Sequence, residues 1–221
     1  MMVQHMEEEG EIEISLSHQL EFTIVFSLAS LILGETPIGY IKIGSALEIT
    51  LLHIPVILAV IFGGLVPGVA TGLVFGLSSF VKNLTTASSL GNFFVNPLVS
   101  ILPRVVFPAV VYLVYKALTS LPHIPRIVSG LVATAVGTFA HTMLVMMSIF
   151  AFYGDTFLKE LERRGEVDFS GAFPRTKSFM AVICSAMRNN GLLEIAAALA
   201  VVAIGFAVLY AKEAFDRRSS Y

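Results

Sequence analysis

Residues 49–79 read ITLLHIPVILAVIFGGLVPGVATGLVFGLSS, thirty-one residues without a Lys, Arg, Asp or Glu. A single membrane helix takes about 20 apolar residues, so this run is too long for one crossing and fits a tight helical hairpin. Pro67 and Gly68 stand where a turn is expected. Gly64, Gly68, Gly72 and Gly76 recur every fourth residue. On a helix they form one ridge without side chains, along which another backbone can pack closely. The ridge serves either the protein's own helices, the favoured reading, or a docked subunit.

The rest of the chain agrees with a membrane protein. Of 221 residues, 56% are hydrophobic and only 14% charged, against about 25% charged in soluble domains. Mean hydropathy is +0.82. A net charge of −2 argues against nucleic acid as a partner. The single Cys184 excludes an internal disulfide and a multi-cysteine metal site. The N-terminus carries Glu7, Glu8, Glu9, Glu11 and Glu13, whereas a secretory signal starts with positive charge. The first apolar run is therefore read as a retained span.

Working outward, the expected fold is an all-α integral membrane protein with six transmembrane helices. Residues 1–19 form a polar tail, 20–211 the membrane domain and 212–221 a C-terminal tail. The spans are expected at Leu20–Leu33, at the two arms of the hairpin ending near Val81, at Pro97–Leu118, Ile127–Phe152 and Asn190–Ala211. Residues 38–47 and 82–96 read as loops, and Asp155–Lys177 as a long charged loop. Charge leaves the orientation open. Lys116, Arg126, Lys212, Arg217 and Arg218 fall on the side of the termini. Lys42, Lys82, Lys159, Arg163, Arg164, Arg175 and Lys177 fall on the other, mostly in the one long loop, which counts less.

An ionisable group within a span costs at least about 2.5 kcal/mol and needs a partner or a wet cavity. Arg104, about two turns into the fourth span, is suited to a bidentate grip on a ligand carboxylate or phosphate, or to an internal pair with Glu194. Asn190 and Glu194 are four apart and share a helix face, suited to ligand hydroxyl and amide groups, or to capping with a salt bridge to Arg188 or Arg104. His53 has no metal-ligating partner at a fitting spacing and reads first as a hydrogen-bonded structural residue. His141, beside Thr142, belongs to a buried polar network or to a ligand contact. Asn83, Asn92 and Asn96 bracket the loop before the fourth span, where asparagine both closes pockets and forms turns.

No G-x-S-x-G, H-E-x-x-H or G-x-x-x-x-G-K-[ST] is present, so no catalytic set, metal site or cofactor is expected. Two rivals to a binding subunit remain. A stand-alone secondary transporter would show paired broken helices or intramembrane carboxylates. An intramembrane enzyme would have only His53 with His141 to work with.

Several segments in order carry a family resemblance: T-P-I-G-Y-I at 36–41, I-T-L-L-H-I-P-V-I at 49–57, G-L-V-P-G-V-A-T-G-L-V-F-G-L-S-S at 64–79 followed by Asn83, N-P-L-V-S-I-L-P-R at 96–104, Y-L-V-Y-K at 112–116 and N-N-G-L-L-E at 189–194. Together they resemble the S component, the substrate-binding membrane subunit, of energy-coupling factor (ECF) vitamin transporters, over about residues 20–211. The resemblance implies six helices in a prokaryotic cell membrane, with both termini cytoplasmic. It implies a vitamin held near the outside by the loop after the first helix, which contains Tyr40, and by the fourth to sixth helices. It also implies docking onto a transmembrane coupling subunit bound to two ATPases. Family members dock through small residues on the first helix, typically A-x-x-x-A; here Phe26, Ser27, Ala29 and Ser30 occupy that region, which makes Ser27, Ala29 and Ser30 the docking candidates. H-I-P-V-I and F-G-L-S-S look most like the pantothenate-type branch, with riboflavin or another vitamin as the alternative. Arg104 would then meet the carboxylate, and Asn190 with Glu194 the amide and hydroxyls.

Overall fold

The computed structural model describes residues 16–43, 47–85, 91–163 and 175–219. In chain order they form α1 (Leu16–Glu35), a 3₁₀ turn (Pro37–Gly39), β1 (Tyr40–Ile43), β2 (Leu47–Thr50), α2 (His53–Gly63) and α3 (Leu65–Thr85). A second 3₁₀ turn (Gly91–Val95) leads to α4 (Pro97–Ser100), α5 (Leu102–Thr119), α6 (Arg126–Arg163), α7 (Arg175–Ala186), a π turn (Met187–Gly191) and α8 (Leu192–Ser219). Five of these stretches are long and apolar enough to cross a membrane, counting Pro97–Thr119 as one, and α2 is a shorter apolar helix. Residues 1–15 of the expected tail and 164–174 of the expected charged loop lie outside the described residues.

The bundle is apolar outside. Leu20, Ile24, Leu28 and Ile32 of α1 and Leu193, Ile204 and Val208 of α8 are exposed, as expected where the solvent is lipid. Polar side chains are drawn inward: Ser30, Thr71, Ser100, Ser129, Thr134 and Thr138 have no exposed surface.

α3 lies at the centre, packed by α1, α2 and α5. Its glycines explain why. A Cβ at Gly72 would collide with the Arg104 carbonyl oxygen, and one at Gly76 would stand 2.9 Å from the Ile101 Cα. Here α3 meets the backbone of α5 and its entry directly. Pro108 completes the fit: it lacks the N–H that would bond the Arg104 carbonyl four residues back. The ridge thus packs the protein's own helices, as favoured from the sequence.

Several boundaries differ from the expected ones. The hairpin turns at Gly64, not at Pro67-Gly68: Gly64 has φ +92°, a conformation that glycine alone adopts without strain. Pro67 sits in the first turn of α3, where a missing N–H costs nothing. Residues 38–47 are not all loop. Pro37 holds Thr36 extended (φ −104°, ψ 151°) and ends α1. β1 and β2 then pair antiparallel, Tyr40 opposite Thr50 and Ile43 opposite Leu47, so the membrane domain carries a small sheet.

The fourth span is interrupted at Ile101, so Arg104 lies in the first turn of α5 rather than two turns inside a helix. α6 does not stop near Phe152. Tyr153, Phe157 and Leu161 recur every fourth residue and continue its apolar face into a cluster with Phe93, Val99, Val145, Ile149 and Val182. Glu160 and Arg163 pair on the outer side at 2.7 Å. At 38 residues α6 is roughly 57 Å long, well beyond the ~30 Å of a hydrocarbon core. α8 likewise runs past Ala211 to Ser219.

Gly72→Ala is expected to cost more stability than Gly68→Ala. The first sets a methyl against immovable backbone, the second against the Val60 side chain, and overpacking typically costs about 1–3 kcal/mol. Thermal unfolding of the two variants in detergent should rank them in that order.

Candidate functional site

The buried polar groups gather where α2, α3, α5, α6 and the start of α8 meet. His53 opens α2 and is fully buried. Its Nδ1 lies 2.7 Å from the Thr50 carbonyl at the end of β2. His53 stacks on His141 of α6, ring centroids 5.5 Å apart and nearly parallel. Phe75 of α3 and Phe107 of α5 complete the box around His141, at 5.7 and 5.0 Å.

Arg104 shares this chamber. The break at Ile101 frees the Val99 carbonyl, which accepts a hydrogen bond from Arg104 Nη1 at 2.7 Å. The guanidinium lies between the Phe75 and Phe94 rings, 5.3 Å from each centroid, a placement that favours a cation. Among the described residues no carboxylate lies within ion-pairing distance of it, so the expected pair with Glu194 does not form.

Glu194, in the first turn of α8, is instead committed to backbone. Its Oε1 accepts the Thr50 N–H at 2.8 Å, and Thr142 Oγ1 approaches its Oε2 at 3.5 Å, long for a hydrogen bond. Asn190 is buried in the π turn one step earlier. Such turns recur at functional sites.

What remains unused is informative. Among the described residues, His53 Nε2, both nitrogens of His141, Arg104 Nε, Thr138 Oγ1 and Asn190 Oδ1 are buried without a hydrogen-bond partner, as is Ser30 Oγ on α1. An unpaired buried polar group costs about 1–3 kcal/mol. Buried polar groups left unpaired inside a membrane protein are candidates for contact with a polar ligand. The set offers a guanidinium N–H and a hydroxyl as donors, an amide oxygen and imidazole nitrogens as acceptors.

Of the residues singled out from sequence, His53, Arg104, His141, Asn190 and Glu194 converge here. Tyr40 stands at the edge, half-buried, within electrostatic range of Arg104 and with Lys82 Nζ 4.0 Å above its ring. Lys82 also donates to the Gly34 carbonyl at 2.7 Å, tying the ends of α1 and α3 to the hairpin.

Asn83 and Asn96 serve local structure. Asn83 Nδ2 donates to Ser79 O within α3, and Asn96 caps α4 by accepting from the Leu98 N–H. Asn92 is exposed. Ser27 contacts Thr71 Oγ1 at 3.4 Å and Ser30 is fully buried, so both face the protein's own interior; Ala29 lies on the partly exposed flank. Sequence reasoning passed over Thr138 and the aromatic walls Phe75 and Phe94. Thr134, Thr138 and His141 or Thr142 recur at helical spacing in an otherwise apolar helix, a stripe that could have revealed Thr138.

Comparison with known proteins gives the family. Residues 19–215 match the family described as ECF transporter, substrate-specific component. The chain belongs to this family. It is also 33% identical, over 158 residues, to the pantothenic acid transporter PanT of Lactococcus lactis subsp. cremoris (strain MG1363), an alignment covering 65% of this chain and 75% of that protein. The chain is therefore a multi-pass membrane component of a transporter and not an enzyme.

Glu194→Ala leaves the Thr50 N–H without its acceptor and frees β2 from α8. Hydrogen exchange at the Thr50 amide should accelerate by about tenfold or more, the value of a lost buried hydrogen bond. Glu194→Gln keeps an acceptor oxygen and should change it much less.

Proposed function

We propose that this chain is the substrate-binding subunit of an ATP-driven ECF importer and that its vitamin is pantothenate. It captures the vitamin outside and delivers it inward with the transmembrane coupling subunit and two ATPases, in a prokaryotic cell membrane. The observation that carries the reading is the buried set of unpaired donors and acceptors around Arg104 and the His53–His141 stack. Pantothenate has a carboxylate at one end, two hydroxyls at the other and an amide between. Arg104 Nε suits the carboxylate through a charge-assisted bond. The imidazoles, Thr138 and Asn190 suit the hydroxyls and amide. The likeness to a pantothenic acid transporter supports the same vitamin.

In this reading α2 counts as the sixth crossing, with the hairpin filling the depth that its 11 residues leave open. Both termini are then cytoplasmic. Lys116, Arg126, Lys212, Arg217 and Arg218 mark the inner side, consistent with positive charge facing the cytoplasm. Docking to the coupling subunit falls to the outer face of α1, with Ala29 at its flank and Leu20, Ile24 and Leu28 exposed. Glu194, spent on Thr50, gives no support to a coupling-ion site.

The test is ligand identity. The protein is purified in detergent and denatured, and released small molecules are identified by mass spectrometry. Thermal-shift titrations with pantothenate and riboflavin run in parallel. Pantothenate at 100 Kd should stabilise by about 2.7 kcal/mol. Arg104→Ala should weaken its binding at least about tenfold, and Asn83→Ala should leave it unchanged. Release of a flavin, or stabilisation by riboflavin alone, would sink the pantothenate assignment.

A further inference from the structure

The backbone of Thr50 is held at both of its polar groups, its N–H by Glu194 and its carbonyl by His53. A carbonyl oxygen only accepts, so the His53 nitrogen facing it, Nδ1, carries the proton. A second proton on the same ring would make a cation of a fully buried side chain, where charge is expensive. His53 is therefore neutral, with Nε2 left as a bare lone pair. That atom is buried and has no partner. The neighbouring His141 differs: among the described residues neither of its nitrogens is bonded, and none of them fixes its tautomer. One imidazole of the stack dictates the hydrogen-bonding polarity it will accept, and the other adapts.

The order of groups in the chamber matters too. The contacts run from Arg104 to Phe75 to His141 to His53: Phe75 is 5.3 Å from the Arg104 Cζ and 5.7 Å from the His141 centroid, and the His53 ring is 5.5 Å from that of His141. Along this line of contacts His53 is the group farthest from the cation.

We infer that His53 is a specificity-determining ligand contact: its Nε2, held as an acceptor by the Thr50 carbonyl, takes the hydrogen of a hydroxyl at the end of the ligand opposite the anionic group bound by Arg104. The inference rests on the pantothenate reading for the identity of that hydroxyl and on the geometry alone for the polarity of His53. It makes the site a reader of two chemical ends. A molecule with a carboxylate but no distal hydroxyl leaves Nε2 unpaired, and one with an acceptor at that end meets a lone pair with a lone pair. A site that hydrogen-bonds a ligand group rejects the analogue lacking it far more strongly than an apolar pocket rejects a missing methylene.

The experiment is calorimetric binding of pantothenate and its two mono-deoxy analogues to the wild type, His53→Asn and His53→Gln in detergent. Asn keeps a donor for the Thr50 carbonyl and loses the distal acceptor. Gln restores an oxygen near the Nε2 position. The wild type is expected to bind one deoxy analogue at least about tenfold more weakly than pantothenate, consistent with the cost of an unpaired buried acceptor. His53→Asn should lose that discrimination and His53→Gln should recover part of it. An independent measurement needs no ligand: ¹⁵N spectra of histidine-labelled protein, with His53→Asn used for assignment, should show the His53 proton on Nδ1. A proton on Nε2 overturns the inference whatever the vitamin. Undiminished discrimination in His53→Asn overturns the His53 assignment and leaves pantothenate standing. Failure of pantothenate to bind the wild type overturns the vitamin, and with it the hydroxyl assigned to His53.

Discussion

The contact of α3 with the backbone of α5 is what the remaining structure is built around. Gly72 lies on the carbonyl of Arg104, a carbonyl that Pro108 leaves without its helical partner. Any side chain at Gly72 would force the two helices apart. Because they touch, Phe75, one turn further along α3, falls beside the Arg104 guanidinium and beside His141. In a bilayer, helices gain little from burying apolar surface against one another, since lipid is equally apolar. Close backbone approach and interior polar contacts must hold the bundle together instead. Here one glycine–proline arrangement supplies the first and positions the second.

The same economy explains which polar residues are structural and which are available. Some interior hydroxyls are satisfied within their own helix, as Thr134 is by Gly130 and Thr142 by Thr138. Glu194 and His53 each spend one face on the Thr50 backbone, which fixes the end of β2 to α8 and α2. Arg104 spends one nitrogen on Val99. After these bonds are counted, the unsatisfied capacity concentrates around the histidine stack and the guanidinium. A membrane interior tolerates such a deficit where function requires it.

Much of this was legible in the sequence because membrane constraints are coarse and strong. Charge-free runs of the right length gave the spans, and Arg104, His53, His141, Asn190 and Glu194 stood out because ionisable and amide groups are costly there. Connections were less legible. Pro67-Gly68 looked like a turn, yet the turn needed positive φ, which Gly64 supplies, and proline is well placed in a first helical turn. The charged stretch after Asp155 suggested a loop because its charges were weighed above the fourfold spacing of Tyr153, Phe157 and Leu161. The partners of Glu194 were beyond reach, since a backbone N–H leaves no mark in the sequence. Arg104 and Glu194 look like a natural ion pair on paper. Tertiary structure gives each a different carbonyl or amide.

The shortness of α2 has its own consequence. Eleven residues rise roughly 16 Å, about half of a ~30 Å hydrocarbon core. α3 leaves the Gly64 turn alongside α2 but continues for 21 residues, so only its first half has α2 for a neighbour. His53, the first residue of α2, stands at about the level of Phe75 on α3. Beyond His53 α2 contributes nothing, and the ends of α1 and α3 are bridged by two short strands and the Lys82–Tyr40–Gly34 contacts. Such irregular backbone persists at membrane depth only against protein or water. The helical hairpin is thus two helices thick near Gly64 and one helix thick beyond His53, where two short strands stand in place of a longer α2.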